Sequence, residues 1–172
     1  MNRRSKLIGW VRYIIGLSLA MFILTNAAGL SRVSGESMLP SLSSGNILLI
    51  NKLSLYVDEP EYGDVVVIGS KALGYSLVKR VIAIEGDSVA ISDGVVYVNG
   101  SPLTELYSIG KSSNMDPQQV TEGHVFVLGD NRDLGASLDS RSPELGQVLV
   151  ADIQGYALIK LMPWGAIAAP LS

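Results

Sequence analysis

The chain has 172 residues, a net charge of −3 and no cysteine. The lack of cysteine excludes disulfides, thiol catalysis and Cys-ligated zinc, and the scattered cations form no basic stripe for nucleic acid. Behind an N-terminal apolar segment, the remaining length is enough for one domain with a self-sufficient core, so neither a metal nor a disulfide staple is required.

In chain order, Arg3, Arg4, Lys6 and Arg12 precede an uncharged stretch from Tyr13 to Leu30. As a helix that stretch reaches about 27 Å, close to the hydrocarbon thickness of a bilayer. Residues 1–12 are therefore expected to be a cytoplasmic basic head and 13–30 a transmembrane anchor. The positive-inside rule puts residues 31–172 outside the cytoplasm. A cleavable secretory signal ending at Ala27 and Ala28 is the competing reading. Thr25 and Asn26 make a poor cleavage context, and the apolar character continues through Leu30, which favours a retained anchor.

Beyond Leu30 the pattern changes to alternating or short apolar runs broken by glycine. Strands are predicted over Ile47 to Leu53, Val65 to Ile68, Leu77 to Glu85, Ser88 to Ser92, Val95 to Asn99, Val125 to Leu128 and Val148 to Lys160, all rich in valine and isoleucine. The fold class is mainly β. Asp93-Gly94 predicts a type I′ hairpin, and Asn99-Gly100 offers a further turn. Residues 101–123 are polar, carry Pro102 and Pro117, and read as a long surface loop or a small appended lobe without chemistry. The run from Ile159 to Leu171 is too broken for a second span; Trp164 within it either touches a membrane interface or plugs the core.

The chemistry rests on two segments. In Ser34-Gly35-Glu36-Ser37-Met38-Leu39-Pro40, Gly35 permits unusual dihedrals and Pro40 biases Leu39 to an extended conformation, so Ser37 is held on a stiff, exposed bend. Such a bend presents backbone N–H groups that could bind an oxyanion. A serine hydroxyl needs a base, and the one histidine, His124, enters a strand in a context that suits an edge or turn better than catalysis. The other available base is a lysine made neutral by burial. In Leu77-Val78-Lys79-Arg80-Val81-Ile82, alternation puts Leu77, Lys79 and Val81 on one face and Arg80 on the other, so one of the two charges must face inward. Lowering a lysine pKa from near 10.4 to about 8 costs roughly 3 kcal/mol, within what apolar surroundings impose. Two readings of Lys79 remain level on these grounds: a buried neutral amine, or a side chain snorkelling from a sheet edge.

A polar loop from Gly129 to Arg141 follows the strand Val125 to Leu128 and could form an organised wall beside the pair. With this loop, Ser34 to Pro40, Tyr62-Gly63-Asp64-Val65-Val66-Val67 and Lys79 to Asp87 in that order, the chain resembles bacterial type I signal peptidases. The resemblance implies a signal-peptidase-like β-rich catalytic domain behind one N-terminal transmembrane helix. It also implies a small second lobe between the lysine strand and the Gly129 loop, here reduced and including 101–123. The implied activity is that of a membrane-bound serine endopeptidase that cuts signal peptides from translocated preproteins after small residues. Its expected partners are signal peptides and the lipid bilayer, with no nucleic acid, metal or cofactor.

Carried over by position, the resemblance makes Ser37 the nucleophile, Lys79 the general base and Ser137 the hydroxyl that orients the lysine. Asp139 and Arg141 match a structural ion pair, Asp130 and Arg132 supporting positions, and Met38 and Val78 a shallow apolar pocket that would exclude large side chains. Gly35 stands where some relatives carry a serine that helps bind the oxyanion, and the Gly129 to Ser137 loop is about two residues longer than in well-known relatives. Three other readings stay open: His124 as base for Ser37, a non-catalytic anchored β-domain acting as an adaptor for secreted chains, and a self-cleaving regulator. The last would need a nucleic-acid-binding domain that this chain lacks.

Overall fold

The computed structural model describes residues 3–70 and 74–169. Helix α1 (Arg3–Ala27) opens the chain, and its stretch Ile8–Ala27 has a mean hydropathy of 1.7, long and apolar enough to cross a membrane. None of the described side chains of that stretch is buried. The helix ends at Ala27, and the next residues, read above as the last turn of the anchor, instead form strand β1 (Ala28–Arg32). The cause is pairing: β1 adds to β2 (Ile47–Asn51) with Leu30 opposite Leu49, so tertiary partners override a run that is apolar enough for either state.

The main sheet continues with β3 (Val65–Ser70), β4 (Tyr75–Ile84), β9 (His124–Leu128), β10 (Val148–Leu149) and β11 (Ile153–Met162). Its order is β1-β2-β11-β3-β4-β9-β10, with β12 (Trp164–Ala166) hairpinned onto β11. The single predicted strand from Val148 to Lys160 is split by a 3-10 turn at Val150–Asp152, which lets β11 leave β9 and cross to the middle of the sheet. Between β2 and β3 lies a one-turn helix, α2 (Ser54–Val57). Trp164 is 76% exposed on its hairpin and does not plug the core.

Uninterrupted valine and isoleucine runs arise in β3, β4 and β9 because both faces of these strands are covered. Along β9, Val125 and Val127 enter one cluster with Val66, Leu77 and Val81, while Phe126 and Leu128 enter another with Ile82, Val89 and Val96. That second cluster is shared with a four-stranded sheet of order β7-β6-β5-β8, formed by β5 (Ser88–Ser92), β6 (Val95–Val98), β7 (Ser101–Pro102) and β8 (Met115–Gln119). Asp93 and Gly94 both have positive φ at the β5–β6 turn, as the type I′ reading requires, and Asn99 and Gly100 repeat this at the β6–β7 turn. The region 101–123 is thus a lobe with two strands of its own rather than a bare loop.

Phe126 is wholly buried where the two sheets meet. We expect Phe126→Ala to destabilise the domain by about 3–5 kcal/mol, read from the midpoint of urea unfolding in detergent.

Candidate active site

Strand β4 is the backbone of the site. Its residues Tyr75 to Arg80 pair with β3, and from Arg80 onward the other edge pairs with β9, Arg80 lying opposite Leu128. Lys79 therefore sits where the β9 edge gives out. Alternation holds as expected, with Leu77 and Val81 in one cluster and Val78 packed against another. At least one of the two charges had to face inward, and both do, because both faces of β4 are covered: Lys79 is 2% exposed and Arg80 1%.

Each charge is handled differently. Arg80 is neutralised by Asp130, with Nε donating to Oδ1 at 2.8 Å and an Nη to Oδ2 at 2.7 Å, while its other Nη donates to the Gly63 carbonyl. The guanidinium lies 4.1 Å from the centre of the Tyr107 ring. Lys79 has no carboxylate partner. Its Nζ lies 2.8 Å from Ser37 Oγ and donates to the Val78 carbonyl at 2.9 Å. Burial lowers its pKa from an ordinary 10.5 to about 8, against the opposing pull of Asp139 and Asp130.

Ser37 is presented by a turn that begins at Gly35, whose φ of 92° favours glycine. The turn closes through Leu39 N–H to the Glu36 carbonyl at 3.1 Å and Leu42 N–H to the Met38 carbonyl at 2.8 Å. Met38, 1% exposed, is driven into a cluster with Leu42, Leu48 and Ile50, which fixes the half-buried Ser37 on the other side of the bend. Val78, half-buried, packs against the cluster that contains Met38. Asn131 pins the turn from across the chain, its N–H donating to the Ser37 carbonyl at 3.0 Å and its side-chain amide to the Glu36 carbonyl at 3.3 Å.

The loop after β9 supplies the wall. Arg141 clamps Asp139 with Nε and an Nη, both at 2.8 Å, and Asp139 accepts the Gly129 N–H at 3.1 Å. Burial works to raise the Asp139 carboxyl, but the hydrogen bonds and charge of Arg141 outweigh it and hold the group below its ordinary range. Arg132 is gripped by Glu105 through two bonds of 2.7 and 2.6 Å and donates to the Gly129 carbonyl at 2.7 Å. The amine of Lys79 makes no hydrogen bond to Ser137. That serine's hydroxyl is buried beside Gly129 without a hydrogen-bond partner. It is near enough to Asp139 to favour that carboxylate's charged form, though outside hydrogen-bonding geometry.

Glu105, Tyr107 and Asn131 carry weight that the sequence reading missed. Asn131 stood inside a loop already singled out, but Glu105 and Tyr107 lie in a stretch whose lack of periodicity hid them. His124 opens β9 and bonds Thr121 and the Glu122 carbonyl. Four strand steps, about 13 Å, separate it from the Leu128 end that meets the serine turn, which removes it as a base for Ser37.

Taken as chemistry, a hydroxyl on a fixed bend in contact with an uncompensated, buried amine is equipment for acyl transfer by a serine hydrolase. The family model described as signal peptidase, peptidase S26, matches residues 7–162. A probable signal peptidase I-1 of Synechocystis is 33% identical over 91% of this chain and 84% of its own length. The signal peptidase I of Bacillus licheniformis is 32% identical over 96% of this chain and 94% of its own. A crystal structure of a signal peptidase I from Enterococcus faecalis aligns with a TM-score of 0.50 at 30% identity, covering 58% of this chain and 97% of that one. The chain belongs to the signal peptidase family, peptidase S26. It is a serine endopeptidase, and cleavage of signal peptides is the activity its family carries.

Removing one partner of a fully buried ion pair strands the other. Asp130→Ala, which leaves Arg80 uncompensated, is expected to cost about 3–5 kcal/mol, measured by urea unfolding, whereas Arg132→Lys should cost less because the lysine keeps the charge.

Proposed function

We propose that this chain is a membrane-anchored endopeptidase that cuts signal peptides from translocated preproteins after small residues, with Ser37 as nucleophile and Lys79 as general base. The observation that carries the reading is the 2.8 Å contact between Ser37 Oγ and a Lys79 amine buried away from any counter-ion. A neutral amine takes the hydroxyl proton as Oγ attacks the scissile carbonyl; the resulting ammonium passes that proton to the departing amine, leaving an acyl-enzyme. Water, deprotonated by the same amine, then releases the signal peptide. Acylation takes Ser37 Oγ away from Lys79, and the unpartnered Ser137 hydroxyl turns to hold the amine in its place. The oxyanion falls to backbone N–H groups of the serine turn, since Gly35 offers no hydroxyl. Asp130, Arg132, Asp139 and Arg141 hold the wall and take no part in proton transfer.

Substrate is received on a sheet edge. Residues Tyr75 to Lys79 pair with β3 on one side and, among the described residues, have no strand on the other. An extended peptide that adds there places its backbone beside Ser37, and Val78 limits the side chain next to the cut. The register also sets the approach. Ala28, Asn51, Tyr156, Val66 and Lys79 form one row across the sheet, and the Tyr75 end of β4 lies on the α1 side of that row. With α1 spanning the bilayer and its basic head in the cytoplasm, the signal peptide arrives from the Tyr75 end, on the far side of the membrane.

Ser37→Ala and Lys79→Met should each abolish release of a mature protein from a preprotein in detergent, with unchanged far-UV circular dichroism and the wild-type product checked by N-terminal sequencing. His124→Ala should keep full activity. Turnover by either dyad variant would overturn the reading, and loss in His124→Ala would revive the other base.

The lysine also predicts two pH effects. Because only the neutral amine accepts a proton, kcat/KM should rise with pH through about 8 and then level. For stability, the fold depresses this cation's pKa, so the penalty is fully present below about pH 8 and fades as pH rises towards the unfolded value near 10.4. Lys79→Met should therefore stabilise the protein at pH 7 by up to about 3 kcal/mol and by less at pH 10.

A further inference from the structure

Beyond the dyad, the Asp133 to Pro143 segment and the start of β8 enclose a cleft of about 410 Å³, a volume in the range of about 300–1,000 Å³ typical of ligand sites. We propose that this cleft binds the mature-side segment of the preprotein, the residues that directly follow the cut bond. The proposal rests on the function reading above and adds a subsite to it.

Topology carries the argument. A peptide lying on the open edge from Tyr75 to Lys79 cannot continue along β4, because from Arg80 onward that edge is filled by β9. It must turn away at the serine. The chain that leaves β9 there is Gly129, and a methyl placed on Gly129 would fall 2.4 Å from both the Ser37 carbonyl oxygen and Ser137 Oγ. Ser137 therefore stands beside the nucleophile's own backbone, and it is also a wall of the cleft. A peptide that turns away at Ser37 passes Ser137, the residue shared by the surroundings of the serine turn and the cleft.

The lining suits an extended peptide rather than a compact anion. Asn114, Ser113 and Asp133 offer hydrogen-bonding groups, while Arg141 has its charge taken by Asp139. Leu134, also in the lining, is 90% exposed, a large apolar side chain with almost nothing packed on it. A neutral or basic segment is favoured, since Asp133 is exposed and makes no ion pair among the described residues.

Two synthetic substrates test this, identical up to the cut and carrying either one or six residues after it. The wild type should cut both at the same bond, with a KM for the longer peptide about tenfold lower. Cleavage of both at that bond shows the function reading intact, so failure of the comparison concerns the cleft alone. Ser113→Trp, placed on an exposed residue, fills the cleft; it should raise KM for the longer peptide to that of the shorter one while leaving kcat/KM for the shorter peptide unchanged. Equal KM values in the wild type, or an undiminished preference in Ser113→Trp, would overturn the proposal.

Discussion

An ammonium group denied both water and a counter-ion is the constraint from which the rest of this structure follows. Lys79 is 2% exposed, its amine touches Ser37 Oγ and a backbone carbonyl, and no carboxylate reaches it. Keeping it so requires β4 to be interior on both faces, which in turn buries Arg80 on the opposite side of the same strand. The two neighbours receive opposite treatment. Arg80 gets a bidentate carboxylate and an aromatic face, whereas Lys79 gets burial without a counter-ion and loses affinity for its proton. Asp130 and Asp139 pull towards the charged state, yet each is occupied by its own arginine, so burial wins.

Three arginine–carboxylate pairs surround the site, and their value is positional more than energetic. A buried pair recovers in attraction about what it loses in desolvation, so it adds little net stability over packed apolar groups. What the pairs do is fix where backbone goes. Arg132 and Asp139 both hold Gly129, one at its carbonyl and one at its N–H, and Gly129 is where β9 passes the serine turn with no room for a side chain. Asn131, two residues on, donates its backbone N–H to the Ser37 carbonyl and its side-chain amide to the Glu36 carbonyl. The hydroxyl is placed by the loop opposite as much as by its own turn.

Much of this was legible in the chain. Valine- and isoleucine-rich runs located β2 to β6 and β9, uninterrupted in β3, β4 and β9 where both faces are buried, and Asp93-Gly94 marked its hairpin because few residues tolerate positive φ. Ser37 and Lys79 could be paired by chemistry and resemblance. Three things escaped. Leu30 is as apolar as a membrane residue and as suitable for a strand, so only its pairing with β2 decides. The lobe strands β7 and β8 were hidden by Pro102 and Pro117, which are tolerated because both strands are edges of the small sheet. Glu105 and Tyr107 act through contacts with Arg132 and Arg80 far along the sequence, and no local pattern announces such partners.

The junction between α1 and β1 leaves little freedom between the apolar helix and the sheet that carries the site. Helix passes to strand between Ala27 and Ala28 with no intervening loop, and the Ala27 carbonyl accepts the Lys52 N–H at 2.8 Å, so the last helical turn is stitched to the second strand as well. A domain fastened this way has no tether along which to rise or swing. In the anchored reading proposed above, Ser37 keeps one height over the lipid, and the span of the sheet from Ala28 to Lys79 sets the distance from the hydrophobic stretch of a preprotein to the bond that is cut.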